Sequence, residues 1–523
     1  MATTRTDKTQ QRGGPPSGPA GESRHATRRI AGGTAARAVG EAVAKAASVV
    51  FYIAIARKLG EASFGDFIFG LSLAGVLMTM AGFGTDELIA REVARDRERV
   101  HQMFANTLAL KTALGVVVMG VIALILVVGG YASETRIAVL LLSVAVWIEV
   151  LTKTVQAVLQ GNEEMKYIAA SLIVQRVSVA IVGVVVLLRG GELIAVSAVM
   201  VGGSVLGLVS ALYWLYRRVH RPRRELDRSR WASLIKAGVP LGLVAVLYLV
   251  LLRLDATLLS FLKGGDNTEV GQYGAAYRLI EATMFVSWAF AGAALPWFSR
   301  YRSGGTVSLA RGYELGLKAL VAMLVPVAVV FGVLAAPLIE LLYGTGYSGS
   351  VLPLQLLAAM TVLYGFNNLI ATLMISRNRP GAFAVPAAIV IVQNVIFNFI
   401  LIPPFGATGA ATNAVISGLL LGALTFRNAT RLAGRISLVR ALTAPLLAAA
   451  ALAGVLVLTG EQLSVSALVA GGLAYAAVFL GVERLAFAGD FRLYLDLVKR
   501  RRAAADQGVP PPAPLATPGA LEP

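Results

Sequence analysis

Apolar residues run along this chain in blocks of about twenty, separated by short polar or charged stretches, from residue 38 to residue 487. A helix rises about 1.5 Å per residue and bilayer hydrocarbon is about 30 Å thick, so each block has the length of a transmembrane helix. Fourteen are predicted, at 38–58, 64–84, 106–128, 136–158, 167–188, 192–216, 237–262, 273–298, 315–338, 351–374, 382–403, 407–425, 440–459 and 465–487. The thinnest boundary separates the eleventh from the twelfth, where only Pro403, Pro404, Phe405 and Gly406 intervene.

Charge then orients the blocks. Residues 1–37 hold Arg5, Lys8, Arg12, Arg24, Arg28, Arg29 and Arg37, and every second connection after them is basic, including Arg91, Arg95, Arg97 and Arg99 and the RRVHRPRRELDRSR run. The alternate connections offer only Arg57, Lys58, Arg189 and Lys263. Short cytoplasmic loops retain Lys and Arg, so this alternation predicts both termini in the cytoplasm of a multi-pass inner-membrane protein. Residues 1–37 lack an apolar signal core and read as a disordered basic tail; 488–523, with its PPPAP run, reads as a second cytoplasmic tail.

Composition sharpens the exclusions. The chain is 57% hydrophobic and 15% charged with mean hydropathy +0.72, which argues against a water-soluble enzyme. Its net charge of +18 lies in membrane-flanking loops without an aromatic-interleaved face, so no nucleic-acid partner is expected. With no Cys and three His, thiolate, iron–sulfur and imidazole sites are improbable, and no metal or cofactor is expected. The non-cytoplasmic loops are too short for a catalytic domain, and no P-loop occurs, so the chain is not read as an enzyme.

The organisation predicted is an all-α membrane protein with an N-lobe of helices 1–6 (38–216), a basic linker (217–236) and a C-lobe of helices 7–12 (237–425). A basic loop (426–439) leads to helices 13–14 (440–487). The two lobes would face a central cavity. A faint internal echo supports the division, since Phe64-Gly65-Asp66-Phe67 after the first span matches Val270-Gly271-Gln272-Tyr273 after the seventh. Between the second and third spans, AREVARDRERV (90–100) reads as an amphipathic surface helix.

Ionisable groups inside the apolar blocks carry the functional argument, because each costs about 2.5–3.5 kcal/mol to insert and needs water, a partner or an escape route. Glu41, Lys45, Ser48 and Tyr52 share one face of the first helix, and Glu149, Lys153, Gln156 and Gln160 repeat the device in the fourth. Arg176 lies about 15 Å from either surface with no local partner. Arg253 and Asp255, two apart in helix seven, need separate partners, whereas Arg278 and Glu281 can pair in helix eight. Glu41 with Lys45 and Glu149 with Lys153 are the other local pairs expected. Lys111 and Lys318 lie near helix ends, where snorkelling accounts for them. The deep set has a slight positive bias, which suits a phosphate or carboxylate ligand held by Lys45, Lys153, Arg176, Arg253 and Arg278. Glu41, Glu149, Asp255 and Glu281 are candidates for proton or cation coupling. Asn367, Asn368, Gln393, Asn394 and Asn398 read chiefly as interhelical hydrogen-bonding groups.

Several stretches resemble the polysaccharide (oligosaccharide) flippase family, the Wzx-type proteins of the MATE/MOP superfamily. They include ARKLGEASFGDFIFG (56–70), AGFGTDELIAREVAR (81–95), QGNEEMKY (160–167), RLDATLLS (253–260), VGQYGAAYRLIE (270–281), IELLYGTGYSGS (339–350) and NVIFNFILIPPFGATGAAT (394–412). The resemblance implies two six-helix lobes plus two peripheral helices. It also implies a polyprenyl-diphosphate-linked oligosaccharide substrate, flipped from the cytoplasmic to the outer leaflet by alternating access. Arg176, Arg253 and Arg278 would then contact the diphosphate, on the burial argument alone, since the family supplies no invariant site to carry over. Membrane lipids are expected partners, with a coupling proton or cation and polysaccharide assembly proteins as further candidates. The alternative is a MATE-type cation-coupled drug or metabolite antiporter, with Glu41 or Asp255 coupling the ion.

Overall fold

The structure, a computed structural model, describes residues 19–80, 82, 84–96, 100–219, 226–300, 309–377, 379, 381–461 and 463–489. The expected tails over 1–18 and 490–523 lie outside the described residues. Among those described, the chain is helical throughout: α1 (Pro19–Met80), α2 (Thr85–Arg95), α3 (Val100–Val128), α4 (Ser133–Gly161), α5 (Met165–Leu188) and α6 (Leu193–Arg218) in one half. The other half contains α7 (Trp231–Leu262), α8 (Thr268–Arg300), α9 (Leu309–Val333), α10 (Ala335–Tyr343), α11 (Val351–Ser376), α12 (Gly381–Ala433), α13 (Leu438–Leu458) and α14 (Val465–Ala486).

Two of these helices are hairpins. α1 breaks at Gly60 (φ 79°, ψ 174°), and Phe51 and Tyr52 on one limb meet Phe67 on the other at ring-centroid distances of 6.2 and 6.1 Å. In an unbroken helix those residues would stand more than about 20 Å apart, so the chain reverses at the glycine. α12 does the same at Gly406 (φ 52°), since Gln393 Nε2 donates to Asn413 Oδ1 at 2.9 Å although the two lie twenty positions apart. A left-handed φ comes without steric cost only to glycine, which is why two spans can join with no loop between them. Among the described residues eleven helices are long and apolar enough to cross a membrane; with α1 and α12 each counted as two limbs, and with the 32-residue α7 added by position, they trace the fourteen expected segments.

The remaining departures are local. α1 starts at Pro19, well upstream of the predicted span and inside the stretch expected to be disordered; adding residues to a helix already nucleated by a membrane span costs little. The amphipathic helix between spans two and three runs over Thr85–Arg95, because Gly84 (φ 65°) starts it early, and it buries Leu88, Ile89 and Val93.

α1, α4, α5 and α6 pack together as the N-lobe, and α7, α8, α9, α11 and α12 as the C-lobe, with α1 meeting α7 and α8 between them. α13 and α14 pair with each other outside the C-lobe, against α9. This attachment corrects the snorkelling expectation for Lys318, which is 1% exposed with its ammonium 2.8 Å from Glu483 of α14 and 4.2 Å from the Phe487 ring centre. One helical turn away, Glu314 accepts the Ser437 N–H at 2.6 Å at the start of α13. Lys111 likewise turns inward, to Asp86 Oδ1 at 2.6 Å and Thr154 Oγ1 at 2.8 Å, tying α3 to α2 and α4. A carboxylate within reach on a neighbouring helix holds each ammonium better than a stretched path to the interface, and sequence spacing does not reveal that neighbour.

Candidate functional site

At one end of the bundle the lobes are in direct backbone contact. That end carries the sparsely charged connections, and its crossing is made by the two echo motifs themselves. A Cβ on Gly65 would run into the carbonyl of Asn267, and one on Gly271 into the carbonyl of Glu61. Around the crossing, Asn267 Nδ2 donates to Asp66 at 2.6 Å and Gln272 Nε2 to Glu61 at 2.8 Å. Tyr347 donates to the Ala56 carbonyl at 2.9 Å, Tyr131 and Ser260 share a hydrogen bond at 2.9 Å, and Arg57 reaches the carbonyls of Leu341 and Leu342.

Toward the basic end from this closure lies a cavity of about 270 Å³ between the lobes. The first limb of α1 supplies Glu41, Lys45, Ser48 and Tyr52, four, three and four residues apart and therefore on one face. α8 supplies Arg278, Glu281, Phe285 and Trp288, three, four and three residues apart and so also on one face, running the opposite way. The two faces match level by level: Arg278 lies over the Tyr52 ring at 4.2 Å, Lys45 Nζ is 3.4 Å from Glu281, and Lys45 lies 5.9 Å from the Trp288 ring centre. Arg253 of α7 and Arg176 of α5 complete the charged lining.

Six of the nine proposed site residues thus meet in one cavity: Glu41, Lys45, Arg176, Arg253, Arg278 and Glu281. Their partners differ from the local pairs expected. Glu41 takes Arg37 at 2.9 Å, and Lys45 takes Glu281 across the lobe boundary. Arg176 is not unpaired, because Glu149 of α4 stands 3.1 Å away and also accepts from Gln175 at 2.7 Å. Lys153 is exposed and outside the lining, so the Glu149–Lys153 pair does not form. Lys45 and Glu149 each take the opposite charge that a neighbouring helix presents, and their (i, i+4) partners lose that competition; Glu41, left by Lys45, keeps to its own helix and pairs with Arg37 one turn earlier. Only Arg278 and Glu281 keep the expected intrahelical contact. Phe285 and Trp288 were missed by a search for charge, although their spacing from Glu281 on α8 marks the same face.

Asp255 lies elsewhere, buried within the C-lobe at 3% exposure. Its Oδ1 accepts from Asn394 Nδ2 at 2.9 Å and Asn398 Nδ2 at 2.8 Å, and its Oδ2 from the Tyr273 hydroxyl at 3.3 Å. Asn398 Oδ1 has no hydrogen-bond donor among the described residues. An adjoining cavity of about 30 Å³, lined by Asp255, Asn394, Asn367 and Ser417, has room for about one water-sized occupant. A lone buried carboxylate beside a free amide oxygen can take a proton or a small monovalent cation, and either would remove the cost of its charge. Among the described residues no cluster of three His, Cys, Asp or Glu could bind a transition metal.

Comparison with known proteins adds four findings. The profile of a family described as polysaccharide biosynthesis protein matches residues 30–302. A protein of Haloferax volcanii named probable low-salt glycan biosynthesis flippase Agl15 is 22% identical over 367 residues, covering 69% of this chain and 75% of its own. Among solved structures, the lipid II flippase MurJ in an inward closed conformation superposes with TM-score 0.73 at 15% identity, over 88% of this chain and 99% of its own. An inward-facing MATE family multidrug resistance transporter of the MOP superfamily gives TM-score 0.58 at 16% identity, over 74% and 94%. At these identities the structural likeness is one of fold.

Proposed function

The chain belongs to the polysaccharide biosynthesis protein family, and from that premise we propose that it flips a polyprenyl-diphosphate-linked oligosaccharide between membrane leaflets by alternating access. The observation that carries this reading is the convergence of Lys45, Arg176, Arg253 and Arg278 on one cavity between two lobes. Four cations face two carboxylates there, so the lining holds net positive charge at a depth where an unmatched charge is costly. A diphosphate is the part of such a substrate that needs this charge, and guanidinium forks suit its oxygens. Phe285 and Trp288, nearer the basic end on α8, offer flat apolar faces to a sugar ring.

In this reading the basic end is cytoplasmic, as its loop charge suggests, and the protein rests with its outer side shut at the Gly65–Gly271 crossing. The headgroup enters from the cytoplasmic side, its phosphates settle deep against Arg253 and Arg278, and its glycan trails past Trp288. Rocking the lobes apart at the crossing then opens the same cavity outward. Asp255, which binds a proton or cation in this scheme, biases the C-lobe by gaining or losing its charge among Asn394, Asn398 and Tyr273. Under the alternative, a cation-coupled drug or metabolite antiporter, any cationic substrate would meet a lining of its own sign.

Deletion tests the substrate. Lipid-linked oligosaccharide should accumulate on the cytoplasmic leaflet and be restored to the outer one by the wild-type chain but not by Arg278→Gln. Undiminished outer-leaflet display in the deletion strain would refute the reading.

A further inference from the structure

Three cations in the cavity share a single carboxylate. Glu281 stands 3.4 Å from Lys45 of the N-lobe and 3.9 Å from Arg253 of α7, and it contacts Arg278 of its own helix. Among the described residues none of the three has a second carboxylate: Arg278 has the Tyr52 ring, and Lys45 has Trp288. The other cavity charges are already matched, Arg176 by Glu149 and Glu41 by Arg37. The surplus charge of the whole site is therefore localised at this cluster, as three positive groups against one negative. A diphosphate esterified at both ends carries one negative charge per phosphorus and would neutralise that surplus, whereas a phosphate diester would leave one cation unmatched.

We infer that Glu281 is a resident counter-anion: it holds Lys45, Arg253 and Arg278 converged when the cavity is empty, gives up Lys45 and Arg253 to the diphosphate while keeping Arg278 of its own helix, and so sets the site's charge to match two phosphates and not one. The inference rests on the flippase reading and deepens it. Three side chains this close repel one another, and a central anion offsets that repulsion while the cavity is empty; because the same anion competes with the diphosphate for the cations, its removal strengthens binding of the diphosphate. The same carboxylate joins the lobes, since Lys45 is on α1 and Glu281 on α8. Releasing Lys45 exchanges a protein–protein ion pair for a protein–substrate pair, so arrival of substrate loosens the lobe contact, and Glu281 is not left bare because Arg278 of its own helix remains beside it. Glu281 also keeps the site from binding too tightly: it reclaims its cations as the diphosphate leaves.

The test compares two probes on the purified full chain in nanodiscs, a short-chain prenyl diphosphoryl glucose and the corresponding prenyl phosphoryl glucose, by calorimetry. Wild type should favour the diphosphate. Glu281→Gln should bind the diphosphate about tenfold tighter or more, the phosphate diester by a smaller factor, and should show lower KM and lower kcat for flipping in proteoliposomes. A group serving only to hold the helices together would give weaker binding when removed. Equal or weaker diphosphate binding by Glu281→Gln, with wild-type binding intact, overturns the counter-anion role and leaves the flippase reading standing. Failure of wild type to bind either probe overturns the flippase reading, and this inference with it. Should Glu281→Gln not insert, Glu281→Asp carries the test: its shorter reach holds the cations less firmly, so diphosphate binding about threefold tighter is expected, and equal or weaker binding refutes the role.

Discussion

The crossing of Gly65 and Gly271 gives the sharpest handle on how the lobes move. In Gly271→Ala the new methyl is driven into the backbone carbonyl of Glu61, which has no rotamer to yield, so the lobes must part or strain. Overpacking of this kind costs about 1–3 kcal/mol. The cost falls only on the state in which the two backbones touch, so it shifts the closed-to-open equilibrium by about fivefold to about 150-fold. The chain has no native Cys, so a single Ser48→Cys on the cavity wall reports access cleanly. A membrane-impermeant maleimide should label it from the basic side in wild type, and Gly271→Ala should add labelling from the opposite side. Gly472→Ala, where a Cβ meets nothing, serves as the control. Gly65→Ala and Gly271→Ala should not be additive, because each opens the same contact. Labelling from the second side that stays at the wild-type level, in a variant of undiminished thermal stability, would refute the assignment of this crossing as the closure.

Two further outcomes follow from charges outside the cavity. Lys318→Met leaves Glu483 buried and uncompensated and should cost about 3–5 kcal/mol, read as a lowered melting temperature in detergent, while the double change with Glu483→Leu should recover most of it; a double variant as unstable as the single would show that the pair is not the cause. Asp266 accepts the Thr268 N–H at 3.0 Å at the start of α8, and this hydrogen bonding holds its carboxyl below the ordinary value of 3.8. A depressed carboxylate stabilises the fold fully above the ordinary value and loses that contribution as pH falls through the lowered one. Asp266→Asn should therefore lower stability by about 0.5 kcal/mol at neutral pH, at the low end for a cap because the group is exposed, and the two proteins should converge only below about pH 4. A difference that persists unchanged at pH 3 would assign the effect to something other than charge.

How much of this was readable beforehand depends on the range of the interaction. Hydropathy alone marked the fourteen apolar segments, because a segment in lipid must satisfy its backbone internally and must be long enough to cross, both properties of the local sequence. It also marked Lys45, Arg176, Arg253, Arg278 and Glu281 as groups needing an explanation, because insertion cost depends on the residue and its depth. The identity of the partners was not local. Glu149 is 27 positions from Arg176, Glu281 is 236 from Lys45, and Glu483 is 165 from Lys318, so helix packing alone chose each pair. Spacing favoured Glu41 with Lys45 and Glu149 with Lys153, and the bundle overruled both by offering Lys45 and Glu149 a better placed charge on the next helix. The echo motifs show the same division. Their two glycines were visible as a repeat, but only the fold brought Gly65 against Gly271, because close approach of two backbones depends on how the lobes lean together and no single segment encodes that angle.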